Sequence, residues 1–224
     1  MYLSILFATP AQTTSIISHL VPVMYKTHPK VPDSCHLPSI ASLLHFLVTA
    51  YPSQSRYSEH LSSLSTAFVP SAARAWLREL TRCLSQHNFI RIEQLTTRCT
   101  LTQILEAEAS RSSLRRCPNG PQDLAMEALS TLLDTLRAKA RDTSWIILRS
   151  VYRELSCPKP NDEASLFTRN WLLRSLLLRS NTQAEGSEDD TVLVDTWIQQ
   201  HVTLGDIKAK EGVEGRWIVC KVKV

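Results

Sequence analysis

VLVDTWIQQHVTLGDIKAKEGVEGRWIVCKV, residues 192–222, is the stretch that decides the fold. Val192 to His201 carries a helical pattern, and Leu204 to Lys210 reads as a short, weak strand. Glu211-Gly212-Val213-Glu214-Gly215 is a turn, and Arg216 to Val224, rich in β-branched residues, is a strand that closes the chain. Working backward, Leu166 to Leu178 predicts a helix after a loop marked by Pro158 and Pro160. Before that loop, Asp142 or Thr143 is a candidate cap for a helix carrying Trp145, Leu148, Val151, Tyr152 and Leu155. Three helices followed by a β-hairpin describe a winged helix over residues 141–224.

Upstream, residues 1–140 read as a helical-repeat region of stacked antiparallel helix pairs, so the chain as a whole is mostly α. Seven of the eleven prolines fall between Pro10 and Pro70 and cut this part into short helices. Candidates are Ala11 to Tyr25, with Ile16, Ile17 and Leu20 on one side, and Ser39 to Tyr51, with Leu43, Leu44, Leu47 and Val48. Ser71 to Gln86 is the strongest, with Ser71 as N-cap and Ala73, Trp76, Leu77, Leu80 and Leu84 on one face. Arg74, Arg78 and Arg82 form an exposed stripe on the other. Asn88 caps the next helix and Thr100 starts another. RSSLRRCPNGPQ, residues 111–122, reads as a flexible loop, and Leu124, Ala125, Ala128, Leu129, Leu132 and Leu136 mark one face of a long helix beyond it.

Composition narrows the function classes. The first glycine is Gly120 and four others follow, so glycine-rich phosphate loops and the nucleophile elbow of a hydrolase are missing. The six cysteines have no C-x-x-C pair and read as free thiols. His19, His45 and His87 sit inside helical patterns without an accompanying carboxylate or metal spacing and read as packed or surface side chains. The acidic run Glu185 to Asp190 lacks the alternating ligands of a calcium loop and reads as a solvated linker. The expectation is a protein that is not an enzyme, with no cofactor and no small-molecule substrate. An enzyme of unrecognised type, suggested only by seven histidines and six thiols, is the distant alternative. The apolar start, Tyr2 to Ala8, is too short for a secretory segment, and no window is long and apolar enough to span a membrane. A soluble chain in the nucleus, or alternatively the cytoplasm, is expected.

Net charge is +4 with a pI near 8.8, so any basic function rests on local clustering. Around the expected winged module, Arg137, Lys139, Arg141, Arg149 and Arg153 meet one acid, Asp142. Arg169, Arg174 and Arg179 follow on a helix segment without acids, and the hairpin adds Lys208, Lys210, Arg216, Lys221 and Lys223. Clustered cations of this kind can contact phosphates in RNA or DNA. The competing reading is a solvated face that keeps the protein soluble. Trp76, Trp145, Trp171 and Trp197 recur at core spacing and read as packing.

The order of helical repeats and winged helix is similar to the PCI-type scaffold proteins, and in particular resembles the GANP (germinal-centre-associated nuclear protein) family. AWLRELTRCLSQHNFIRIEQL, residues 75–95, resembles its paired helices ending in an asparagine-aromatic-x-arginine segment. TLLDTLRAKARDTSWIILRSVYREL, residues 131–155, resembles the entry into its winged helix, and residues 192–222 resemble the winged end. The likeness spans residues 71–224 and more loosely the part before. It implies a non-catalytic scaffold in messenger-RNA export or transcription-coupled RNA processing, paired with another PCI-type subunit. Arg149, Arg153, Arg169, Arg174, Lys208, Lys210 and Lys221 are then the nucleic-acid candidates. Proteasome-lid, signalosome and translation-initiation subunits share the architecture, and that alternative implies protein pairing alone. Family members carry more helical material at the start; in a fragment, Tyr2, Leu3, Leu6 and Phe7 would be a core face missing its neighbours.

Overall fold

The computed structural model describes residues 1–27, 35–64, 66–109, 121–158, 163–183 and 189–221. The chain is mostly helical with a small three-stranded antiparallel sheet. In order, the helices are α1 (Tyr2–Leu6), α2 (Pro10–Thr27), α3 (His36–Ala50), α4 (Ser55–Ser63), α5 (Ser71–Ser85), α6 (Phe89–Leu95), α7 (Arg98–Ala109) and α8 (Pro121–Val151). Strand β1 (Glu154–Ser156), helices α9 (Glu163–Ser175) and α10 (Asp189–Thr203), and strands β2 (Ile207–Ala209) and β3 (Arg216–Val219) follow.

Two cores divide the molecule. In the larger, α3 packs on α4 and α8, α1 on α8, and α5 on α6 and α7. Leu43, Leu44 and Leu47 of α3 meet Leu77 and Leu80 of α5 and Leu129, Leu133 and Leu136 of α8, all fully buried. Each such leucine contributes about 1.5–3 kcal/mol by leaving water. The face of α5 expected to be apolar is the buried one, and Trp76 donates its indole N–H to the Leu95 carbonyl (2.9 Å). The smaller core gathers Trp145 of α8, Leu172 and Leu173 of α9, Val194, Trp197 and Ile198 of α10, Ile207 of β2 and Val219 of β3. Trp145 and Trp197 meet edge to face, with ring centroids 4.9 Å apart.

The change of core falls within one continuous helix. Pro121 occupies the first position of α8, where a missing N–H costs nothing, and no proline or glycine interrupts the rest of that helix. The break expected at Asp142 or Thr143 does not occur. The Thr143 hydroxyl bonds back to the Lys139 carbonyl (3.3 Å) instead of capping a new helix. The helix stops at Val151, and Leu155, expected to be helical, lies in β1 opposite Trp217. Strand order is β1-β3-β2, with Leu155↔Trp217 and Ala209↔Trp217 in register.

Local expectations divide similarly. Asn88 caps α6, its side chain accepting from the Arg91 N–H (3.2 Å), as the sequence predicts. Ser71 does not cap α5; it is the first helical residue, Pro70 precedes it, and no side-chain cap forms. Helix α7 starts at Arg98, two residues before Thr100. The expected loop 111–122 lies outside the described residues except for Pro121 and Gln122, which open α8. Tyr2 and Leu6 pack on the larger core, whereas Leu3 and Phe7 face solvent.

A polar seam joins the two cores. Ser130, Asp134, Arg137, Arg141 and Ser144 recur at alternating four- and three-residue steps, so they share one face of α8. Each bonds to the segment that leaves α9. Ser144 Oγ donates to the Ser175 carbonyl (2.7 Å), Arg141 to those of Leu176 (3.0 Å) and Leu177 (2.7 Å), and Arg137 to that of Arg179 (3.0 Å). Asp134 accepts from the Asn181 N–H (2.9 Å), and Ser130 exchanges two bonds with the Asn181 amide. A helix end leaves its last carbonyls without intrahelical partners, and here a neighbouring helix supplies the donors.

Candidate nucleic-acid interface

Geometry separates the basic residues around the sheet into internal clamps and free cations. Arg169 is an internal clamp, 5% exposed. Its guanidinium donates to the Pro158 carbonyl (2.9 Å), the Thr191 carbonyl (3.3 Å) and the Asp195 carboxylate (2.6 Å), tying α9 to the end of β1 and the start of α10. Arg149 is another. It pairs with Asp206 (2.6 Å) and donates to the Cys220 carbonyl (2.6 Å), while the Cys220 N–H returns to the Asp206 carbonyl (2.8 Å). Asp206 also receives Trp145 Nε1 (3.2 Å) and His201 Nδ1 (2.8 Å). Burial pushes the Asp206 carboxyl up, but bonds from His201 and Trp145 and the charge of Arg149 outweigh it and hold it below the usual range.

Arg174 is half-buried and faces Glu93 of α6 at 3.5 Å. Glu93, itself 3% exposed, also meets Arg179 (3.2 Å), and Arg179 grips Asp190 through two bonds (2.7 and 2.9 Å). Asp190 therefore belongs to a buried ion cluster, which corrects its reading as part of a solvated linker; residues 185–188 of that run lie outside the described residues. Arg137, expected on a basic face, is 1% exposed and reaches the Glu93 carbonyl and Thr96 hydroxyl. Burial pushes its guanidinium below the ordinary value, and the charge of Glu93 opposes that. Arg149, Arg169 and Arg174 are thus placed as structural clamps. The physical reason is that Asp206, Asp195 and Glu93, distant in sequence, fold against them.

Four of the seven candidates stay at the surface. Arg153, Lys208 and Lys221 are exposed, as is Arg216. Lys210 pairs with Glu154 (2.7 Å), and that bond holds the Glu154 carboxyl below its usual range. Register explains the grouping. Glu154, Ile218 and Lys208 lie side by side across the three strands, and Arg216 stands opposite Ser156. These residues alternate with Leu155 and Val219, which point into the core, so the sheet turns Lys208 and Arg216 outward beside Glu154 and Ile218. Gly212 and Gly215 take positive φ in the turn between β2 and β3. A Cβ on Gly215 would lie 2.4 Å from Pro158 Cα, so this glycine lets the hairpin seat against the end of β1.

Helix α10 contrasts with the sheet. It contains no lysine or arginine, its first turn carries Asp189 and Asp190, and Asp195, Thr196, Gln199 and Gln200 are exposed along it. The exposed cations of this part of the molecule therefore lie on the sheet strands and the residues flanking them, not on α10.

Residues missed at the level of sequence are those of the seam and Glu93. The seam's signal was present as a polar stripe, Ser130-Asp134-Arg137-Arg141-Ser144, beside the leucine face of the same helix. Elsewhere, a shallow depression is lined by Phe46, Arg56, Glu59, His60 and Ser63. The nearby Ser42 hydroxyl donates to the Ser39 carbonyl (2.8 Å) and lies 2.8 Å from His60 Nε2. Among the described residues, no three histidine, cysteine or acidic side chains gather as a metal site, and no helix is long and apolar enough to cross a membrane. Comparison with family models, curated proteins and solved structures finds no match to this chain.

Proposed function

We propose that the chain is a non-catalytic scaffold subunit of the GANP/PCI type, a helical repeat fused to a winged helix, which pairs with a second PCI-type subunit and binds RNA or DNA through its sheet face. The observation that supports the reading is the order α8-β1-α9-α10-β2-β3 with strand order β1-β3-β2, which we read as a winged helix with the turn at residues 210–215 as its wing. The free cations Arg153, Lys208, Arg216 and Lys221 add the electrostatic footprint. By its resemblance, the setting is nuclear messenger-RNA export or transcription-coupled processing. The test is a salt titration of binding to duplex RNA and DNA with Arg153→Glu/Lys208→Glu/Lys221→Glu against the parent. The variant is expected to bind at least tenfold more weakly, with the log–log salt slope reduced by about 0.9 for each phosphate that is no longer neutralised. Equal binding and slope reject the sheet face.

A second reading, a proteasome-lid, signalosome or translation-initiation subunit acting through protein pairing alone, is favoured by one observation. The acidic α10 and the exposed Val151, Tyr152, Leu166 and Phe167 offer a partner surface without basic residues on that helix. No nucleic-acid binding at low salt, with a folded PCI-type partner retained on co-purification, selects this reading.

A further inference from the structure

A second basic surface lies on the helical region, away from the sheet residues just described. Helix α5 turns Arg78 and Arg82 outward one helical turn apart, about 6 Å along the axis. Arg91 of α6 joins them because its guanidinium and that of Arg82 converge on Glu79, at 3.9 and 2.8 Å. Among the described residues Glu79 is the one acid paired with Arg82 and Arg91, and Arg78 adds a third cation one turn back along α5. Arg78 has no ion-pair or hydrogen-bonding partner through its side chain among the described residues, Arg91 holds Glu79 only loosely while donating to Gln94 Oε1 (3.0 Å), and Arg82 grips both Glu79 oxygens (2.8 Å each). All three cations are arginines, which suit planar, bidentate contact with phosphate.

The corner between the two helices adds an aromatic platform. His87 closes α5 in the left-handed region (φ 53°), and its exposed ring stacks on Phe89 with centroids 5.9 Å apart and planes 27° from parallel. A non-glycine residue at positive φ is unfavourable, yet here it presents an aromatic ring two residues past the end of α5, the helix that carries Arg78 and Arg82. An acidic peptide would be served by the arginines alone. Arginines beside a stacked aromatic pair whose outer ring is exposed fit a strand whose phosphates and unpaired bases are both available.

We propose that the α5–α6 corner binds single-stranded nucleic acid, with Arg78, Arg82 and Arg91 contacting phosphates and the His87–Phe89 pair taking a base. The site stands independently of the sheet face, which uses other residues. It is tested by fluorescence anisotropy with labelled eight-nucleotide oligouridine and oligothymidine over a salt series, on the full chain. Arg78→Ala/Arg91→Ala is expected to weaken binding at least tenfold and to lower the salt slope by about 1.4, two phosphates at about 0.7 each on a single strand. His87→Gly separates binding from folding. Glycine is at ease at φ 53°, so the thermal midpoint should hold or rise while affinity falls about five- to tenfold. The stronger of the two oligonucleotides identifies the sugar preferred. The Arg153→Glu/Lys208→Glu/Lys221→Glu variant is expected to keep this binding, whatever its effect on duplexes. Unchanged affinity in either corner variant overturns the proposal. So does displacement of the oligonucleotide by polyglutamate at equal charge, which would mark a general anion surface.

Discussion

Glu93→Gln is the perturbation that tests most directly how the two cores are joined. The carboxylate is 3% exposed on α6, with Arg179 at 3.2 Å and Arg174 at 3.5 Å, and its charge supports the fully buried Arg137. Glutamine keeps the volume and removes the charge, leaving three guanidiniums short of one counter-ion around a carboxylate position that is itself buried. Removing one member of a buried ion pair typically costs about 3–5 kcal/mol. Arg179 keeps its two bonds to Asp190, which places the expected loss near the lower end, about 3 kcal/mol. For a chain of this size that corresponds to a drop in melting temperature of roughly 6–12 °C. The assay is urea unfolding followed by far-ultraviolet circular dichroism, with parent and variant compared at equal m-values. Adding Arg174→Met should recover part of the loss, since Glu93 is the acid that Arg174 faces and the second substitution removes a charge that the first leaves uncompensated. A loss below about 1 kcal/mol, the worth of an exposed pair, would refute the argument that this cluster is desolvated and holds α6 against the C-terminal segment.

Two further features are open to the same treatment. Burial lowers the His45 ring to about 4, and its Nε2 donates to the Thr14 hydroxyl (2.9 Å), which in turn donates to the Pro10 carbonyl. The unfolded ring binds protons more readily than the folded one, so stability is whole above about pH 6.5 and declines as pH falls toward about 4. By about pH 5 the loss from this residue is about 2 kcal/mol, readable as a shift in urea midpoint that His45→Gln should largely remove; parallel pH profiles for parent and variant would refute it. In the turn between β2 and β3, Gly215→Ala combines a positive φ with a collision against Pro158 backbone, whereas Gly212→Ala meets a positive φ in open space. The first should cost about 2–4 kcal/mol and the second about 1, in the same urea assay, and equal costs would deny the close approach at Pro158.

Much of the helical fold was legible because apolar spacing survives intact into the structure. The faces of α3, α5 and α8 read from leucine periodicity are the buried ones. The turn between β2 and β3 was equally plain, since Gly212 and Gly215 bracket it. Strand β1 was not legible. Three residues carry too little pattern to compete with the helix before them, and Glu154–Ser156 becomes a strand only because β3, distant in the chain, offers it an edge. The break misplaced at Asp142 or Thr143 has a local cause. A threonine can cap a helix or bond back to the carbonyl four residues earlier, and only the tertiary fold decides which.

The basic residues show the deeper reason that a site is harder to read than a fold. Sequence counts charges along the chain, and between Arg137 and Arg153 it finds five cations and one acid. The structure pairs charges across the fold, where Arg149 finds Asp206 and Arg137 finds the Glu93 carbonyl. Helical position separates the outcomes. Arg137 and Arg141 share the seam face of α8 and turn inward to the carbonyls after α9, whereas Arg153, beyond the end of the helix, remains in solvent. A cation on the seam face has buried carbonyls to satisfy, and desolvating a guanidinium is tolerated only when such acceptors are supplied. Arg149→Glu with Arg174→Glu would consequently test folding before it tested binding. Arg153, Lys208 and Lys221, whose side chains hold no internal bond among the described residues, are the positions at which charge can be reversed without touching the core.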